Sequence, residues 1–120
     1  MNKIYQTNPL YRIEFELIEK VKGLRIAKGW SQRTLSQKMG FVESFVGKVE
    51  SLNQPEKYNI RHINILKKIF QLNSLDDLFP KKLPNDEMII IKYKKVPKPN
   101  KDGTIGKRTE DEIVEIVVVE

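Results

Sequence analysis

Cysteine is absent from this 120-residue chain and histidine occurs once, at His62. Those scarcities exclude disulfides, thiolate metal centres, a cysteine nucleophile and any metal cluster built on histidines. A cysteine-free chain suits a reducing compartment, and a cytoplasmic location is the expectation. No apolar run approaches the roughly 20 residues a membrane-spanning helix needs, and the N-terminus has no apolar signal core, so the sequence reads as soluble, without a membrane partner. It also lacks a phosphate-binding glycine loop and any acidic cluster with metal-ligand spacing, so the expectation is a non-enzyme with no cofactor and no metal.

What the chain does have is positive charge. Lysine and arginine number 22 against 16 acidic residues, for a net charge of +6. That balance favours polyanions such as DNA, although charge alone does not separate such a partner from a need for solubility. The length suits one domain with an appendage.

Apolar spacing changes character near Pro80. Before it, Leu10, Ile13, Leu17, Val21 and Leu24 recur at steps of three and four, predicting a helix that begins near Pro9 and stops at Gly29. Phe15 and Ile18 lie toward one side of that stripe and would widen the core or touch a second copy. Ser31 can cap a second helix carrying Leu35 and Met39, with Gly40 ending it. Val42, Phe45, Val46 and Val49 form a third stripe. Asn59 is a cap for a fourth, with Ile60, Ile63, Leu66, Ile69 and Phe70 inward, and Ser74 with Asp77 resembles a capping box for a last short helix, Leu75 to Phe79. The expected fold class is therefore mainly α: a five-helix bundle over residues 1–80.

The stretch Phe79-Pro80-Lys81-Lys82-Leu83-Pro84 disfavours helix and reads as the start of a linker, 81–87. From Met88 the composition turns β-branched, in Met88-Ile89-Ile90-Ile91 and in Ile113 to Val119, so residues 88–120 are expected to form an antiparallel β-hairpin. Asp102-Gly103 is a tight-turn signal, and a two-residue turn there sets Ile89 against Ile116, Ile91 against Val114, Lys94 against Asp111 and Lys95 against Glu110. Pro97 and Pro99 cannot donate ladder hydrogen bonds and should bulge or fray the ribbon near its tip. The run Lys92, Lys94, Lys95 and Lys98 reads as paired with Glu110, Asp111 and Glu112 across the ribbon, ahead of a second DNA contact. An isolated hairpin is marginal in water, so its apolar surface must be covered, by the same ribbon of a second chain or by folding back on the bundle.

The segment Ser31 to Glu50 carries the functional signal: two short helices joined by a glycine-led turn, with Leu35, Met39, Val46 and Val49 inward and Glu43, Ser44, Gly47 and Lys48 on the opposite side of the second helix. Such a helix fits a major groove, where lysine donates to guanine, serine donates or accepts, and glutamate accepts from cytosine. Gly47 would let the backbone approach closely. His62 reads as a surface or capping residue, and Trp30 as a plug between the first two helices.

Leu24-Arg25, Lys28-Gly29-Trp30-Ser31-Gln32, Leu35, Gly40, Val46, Glu50 and the later Ile60, Ile63 and Leu66 give the region from Leu17 to Phe79 a resemblance to the helix-turn-helix of the phage repressor and Cro family, also called the Xre family. The resemblance implies a repressor-like bundle that binds double-stranded DNA as a dimer. It implies that Gln32 opens the first helix of the motif, reaches a phosphate and braces the recognition helix, with Arg33 beside it. Glu43, Ser44 and Lys48 take the base-reading positions, and Lys57, Tyr58, Asn59 and Arg61 the backbone-contacting ones. Three departures stand out: Val42 occupies a cap position where the family has serine or threonine, Glu43 faces a polyanion, and the loop Ser51 to Tyr58 is longer than the shortest versions. The expected function is transcriptional regulation as a homodimer joined by the C-terminal hairpin. The alternative is an antitoxin-like protein whose tail holds a partner protein while the bundle represses the shared operon.

Overall fold

The computed structural model describes residues 3–82, 85–100 and 102–120. Leu83 and Pro84 of the expected linker and Lys101 beside the expected turn lie outside them. The elements are β1 (Tyr5–Gln6), β2 (Leu10–Tyr11), α1 (Arg12–Ala27), α2 (Gln32–Met39), α3 (Phe45–Glu50), α4 (Ile60–Ile69), a 3-10 turn (Leu75–Leu78), β3 (Met88–Pro99) and β4 (Ile105–Val119). The expectation of a five-helix bundle with a separate hairpin is overturned: among the described residues there are four α-helices and a four-stranded antiparallel sheet, a mixed architecture. The fifth helix is a 3-10 turn, although its Ser74–Asp77 capping box is present. None of the described helices is long and apolar enough to cross a membrane.

Pro9 does not open α1. Residues 5–11 are drawn to the sheet instead, where β1 and β2 both pair with one edge of β3 and β4 takes the other. Thr7 joins the two short strands to Ile91 in both directions, its backbone N–H donating to the Ile91 carbonyl at 3.0 Å and its Oγ1 accepting from the Ile91 N–H at 3.0 Å. An uncovered strand edge exposes a row of backbone donors and acceptors, and pairing satisfies them.

Burial along β3 alternates, with Ile89, Ile91 and Tyr93 inside, the period of two a half-buried strand requires. These three pack with Phe15 of α1, and Tyr5, Leu10 and Leu52 close the edges. The ribbon thus folds back on the bundle through its inner face. The main core lies across α1, where Leu17, Ile18 and Val21 meet Leu35, Met39, Val46, Val49, Leu66, Phe70 and Leu78. Trp30 stacks on Phe70 at 5.4 Å and packs at the margin of this core.

Two helical stripes are rotated from their expected positions. Ile13 is 46% and Ile60 86% exposed. The buried line of α1 continues through Arg25, and that of α4 runs His62, Leu66, Phe70; a polar residue holds the inward position in each. Val42, expected on the α3 stripe, is exposed in the turn before the helix.

The hairpin register also differs. Ile89 faces Val118 and Ile91 faces Ile116, while Lys94 faces Glu112 and Lys95 faces Asp111. The turn is closed by Asn100 and Thr104, Gly103 taking φ 87° and donating to the Asn100 carbonyl at 2.9 Å, in place of a two-residue Asp102-Gly103 turn. Register then shifts between Pro97 and Pro99, where proline interrupts the ladder, and again between Lys92 and Tyr93, where Val114 is an extra residue on β4.

Candidate nucleic-acid interface

Ser31 caps α2, its Oγ accepting from the Thr34 N–H at 3.0 Å, and Gly40 ends the helix at φ 81°. That left-handed residue turns the chain toward α3 without the penalty a Cβ would bring. Helix α3 begins without a side-chain cap of its own, since Ser44 makes no capping bond. The missing bond comes from α2: the buried Ser36 Oγ accepts from the Val46 N–H at 3.0 Å and donates to the Gln32 carbonyl at 3.0 Å. A first-turn donor that α3 cannot satisfy is met by its partner helix, which answers the absence of a serine or threonine at Val42. Ser36→Ala should therefore cost about 1–3 kcal/mol, because it strands a buried N–H. Urea unfolding would measure it, and a loss within experimental error would show the bond to be dispensable.

The crossing of α2, α3 and α1 is fixed by ions. Glu50 at the end of α3 receives the Arg25 guanidinium in a two-pronged pair, Nε to Oε2 at 2.9 Å and Nη2 to Oε1 at 2.8 Å. Arg25 Nη1 also donates to the Trp30 carbonyl at 2.8 Å, and Gln32 Nε2 donates to Glu50 Oε1 at 2.9 Å. The pair is buried, with the Arg25 side chain 10% and that of Glu50 2% exposed. Gly47 makes room for this arrangement: a Cβ there would stand 3.3 Å from Gln32 Oε1. Sequence reading placed Arg25 and Glu50 in a motif but not in contact. A signal existed, since steps of four from Leu17 and Val21 reach Arg25 and a step of four from Val46 reaches Glu50, putting opposite charges at inward positions.

The expected site residues separate into three groups. Gln32, Arg33, Glu43, Ser44 and Lys48 share one shallow open depression, bordered also by Gly47, Ser51 and Gln54. Within it Arg33 pairs with Glu43 at 2.9 Å, so the carboxylate that would face a polyanion has a cation beside it. Glu43 and Ser44 sit in the turn before α3, and Lys48 lies on the helix, exposed. Asn59 and Arg61 form a second, exposed group at the start of α4. The Asn59 side chain accepts from the His62 N–H at 3.0 Å, and Arg61 stands 5.4 Å from the Phe41 ring centre.

Lys57 and Tyr58 belong to neither group. Lys57 is partly buried, with Nζ 3.4 Å from the Pro55 and Glu56 carbonyls. Tyr58 is buried, 5% exposed, and its hydroxyl has no hydrogen-bond partner. Burial, and then the Glu50 carboxylate, push its pKa well above the usual tyrosine range. The expectation that Tyr58 touches phosphate is therefore overturned: its ring closes the core beside Phe45 and His62. His62 completes a capping box by accepting from the Asn59 N–H at Nδ1, 3.0 Å. Burial, with Arg61 adding to it, lowers its pKa and favours the neutral ring that this acceptor role needs.

No family model, curated protein or solved structure significantly matches this chain.

Proposed function

We propose that the chain is a sequence-specific regulator of transcription, a cytoplasmic repressor that binds double-stranded DNA as a dimer. The observation that carries this reading is the rigid seating of α3. Arg25, Gln32 and Ser36 hold it from behind, while Ser44 and Lys48 stand exposed in one depression with Arg33 and Glu43. Recognition of base edges needs side chains held in fixed geometry by packed elements. In this reading Lys48 donates to guanine and Ser44 to a neighbouring base. Glu43, oriented by Arg33, accepts from a cytosine amino group. Asn59 and Arg61 touch the backbone.

Dimerisation draws support from β4. Ile113, Ile116 and Val118 are 38–45% exposed although they pair with Tyr93, Ile91 and Ile89, whose side chains are buried. This apolar stripe overhangs the bundle and fits the ribbon of a second copy. Helix-turn-helix dimers read half-sites about one DNA turn apart.

Selection of preferred duplexes from a random pool tests the reading. Enriched sequences with two related half-sites are the expected result, and a pool that stays random overturns it. On the winning duplex, Lys48→Ala should relax preference at one base pair at a cost of about 1–3 kcal/mol. Arg61→Ala should weaken all duplexes equally and lower the salt slope by about one. Identical behaviour of the two variants would contradict the assigned roles.

A further inference from the structure

The ribbon continues well past the part that packs on the bundle. Its core-facing residues end at Tyr93, and β3 runs six residues further to Pro99, a reach of about 20 Å at the usual rise per residue. Up to Lys95 its cations are answered: Lys92 by Glu115 at 3.8 Å, Lys94 by Glu112 at 3.3 Å and Lys95 by Asp111 at 3.5 Å. Asp111 Oδ2 also accepts from the Leu52 N–H at 3.1 Å, tying the ribbon to the loop after α3. Beyond that tie the pairing of cation with carboxylate stops. Among the described residues Lys98, Lys107 and Arg108 form no ion pair. Asp102, at the turn, is held by the Thr104 N–H and hydroxyl. Three carboxylates line the same cleft as Lys98: Glu50 is paired with Arg25 and Asp111 with Lys95, while Glu110 forms no ion pair among the described residues.

The position of this unpaired charge matters. A cleft between ribbon and bundle is lined by Lys98, Thr109 and Glu110 on one side and by Gln32, Gly47 and Ser51 on the other, with Lys22 at its border. Gln32, Gly47 and Ser51 also border the depression that holds Arg33, Ser44 and Lys48. The two concavities share these three residues, so Lys98 stands close to the face of α3, and Lys107 and Arg108 lie across the ribbon from it, between the Pro97–Thr109 and Pro99–Ile105 pairs. Lysine and proline along a strand also disfavour addition of a further strand, which turns this end of the ribbon away from sheet pairing and toward a polyanion.

We propose that Lys98, Lys107 and Arg108 form a second DNA contact, a basic strap on the sugar-phosphate backbone flanking the base pairs met by α3. The proposal rests on the DNA-binding reading above. Its role is affinity and positioning, since backbone contacts carry no base information of their own. The strap's reach exceeds the major-groove width of about 12 Å, enough to meet the adjacent backbone.

The test is a chain with Lys98→Ala, Lys107→Ala and Arg108→Ala together, compared with the native chain on its selected duplex and on a scrambled one. Lys94→Ala, which removes a lysine already paired with Glu112, serves as control. None of the three side chains is in the core, and a thermal melt checks that the fold persists. The slope of log K against log salt should fall by about two to three, one per lost contact, with affinity for both duplexes reduced by the same factor, roughly 10-fold or more. Hydroxyl-radical protection of the flanking backbone should disappear while base preference stays. An unchanged slope and footprint, with native binding intact, overturns the strap and leaves the α3 reading standing; a native chain that binds no duplex overturns both.

Discussion

Glu50→Ala should destabilise the fold by about 3–5 kcal/mol, the loss expected when one partner of a buried ion pair is removed. The remaining Arg25 charge would keep only the Trp30 carbonyl as a partner, and the Gln32 amide would lose its acceptor on α3. Three elements meet at this carboxylate, so the loss should loosen the angle between α2 and α3 as well as lower the unfolding midpoint. Denaturant unfolding at neutral pH measures the first effect. The pair's net worth is a separate quantity, because desolvating two charges opposes their attraction. Arg25→Met combined with Glu50→Leu should therefore recover most of the stability. A single-substitution loss below about 1 kcal/mol, the range of solvent-exposed pairs, would refute a buried network.

Ile91→Ala should cost about 2–5 kcal/mol, the range for truncating a buried aliphatic side chain. Ile91 is fully buried, packed in the cluster with Phe15, and bonded to Thr7 through both backbone groups. Phe15 lies on the same helix as Leu17, Ile18 and Val21, so one element carries both clusters. The variant should lower the melting temperature of the helical signal and of the sheet signal together. Helices that melt at the native midpoint while the sheet alone is lost would show that the ribbon is not integral to the bundle.

The helical half was legible where a local rule acts alone. Ser31, Gly40, Asn59 and Ser74 cap or terminate as short-range chemistry requires, and the spacing of Leu17 and Val21, or of Val46 and Val49, marks buried faces. Errors arose where a polar residue took an inward position. His62 is tolerated inside because Asn59 and the rings of Phe41, Phe45 and Tyr58 surround it, and its place on the stripe leaves Ile60 in solvent. Arg25 does the same to the phase of α1. For the candidate interface, the two-helix pattern points to Glu43, Ser44 and Lys48, the family resemblance adds Gln32 and Arg33, and all five line one depression. Tyr58 was misassigned because loop position says nothing about which way a ring packs. Ser36, which supplies the α3 cap, could not be found, since its partner is ten residues away across a turn.

By itself the sequence determined part of the local grammar: the caps that start α2 and α4, the glycine that ends α2, the two long strands of the ribbon, and that charge is positive. Those features follow from neighbours along the chain, through caps, periodicity and β-branching. Only the tertiary structure decided that Tyr5–Gln6 and Leu10–Tyr11 complete the sheet, that the ribbon lies on α1, and which lysines keep a free charge. Each of these depends on contacts between distant segments, as when Thr7 meets Ile91 or Leu52 meets Asp111. A bulge at Val114 moves every cross-strand partner beyond it, and no residue near it in sequence announces the shift.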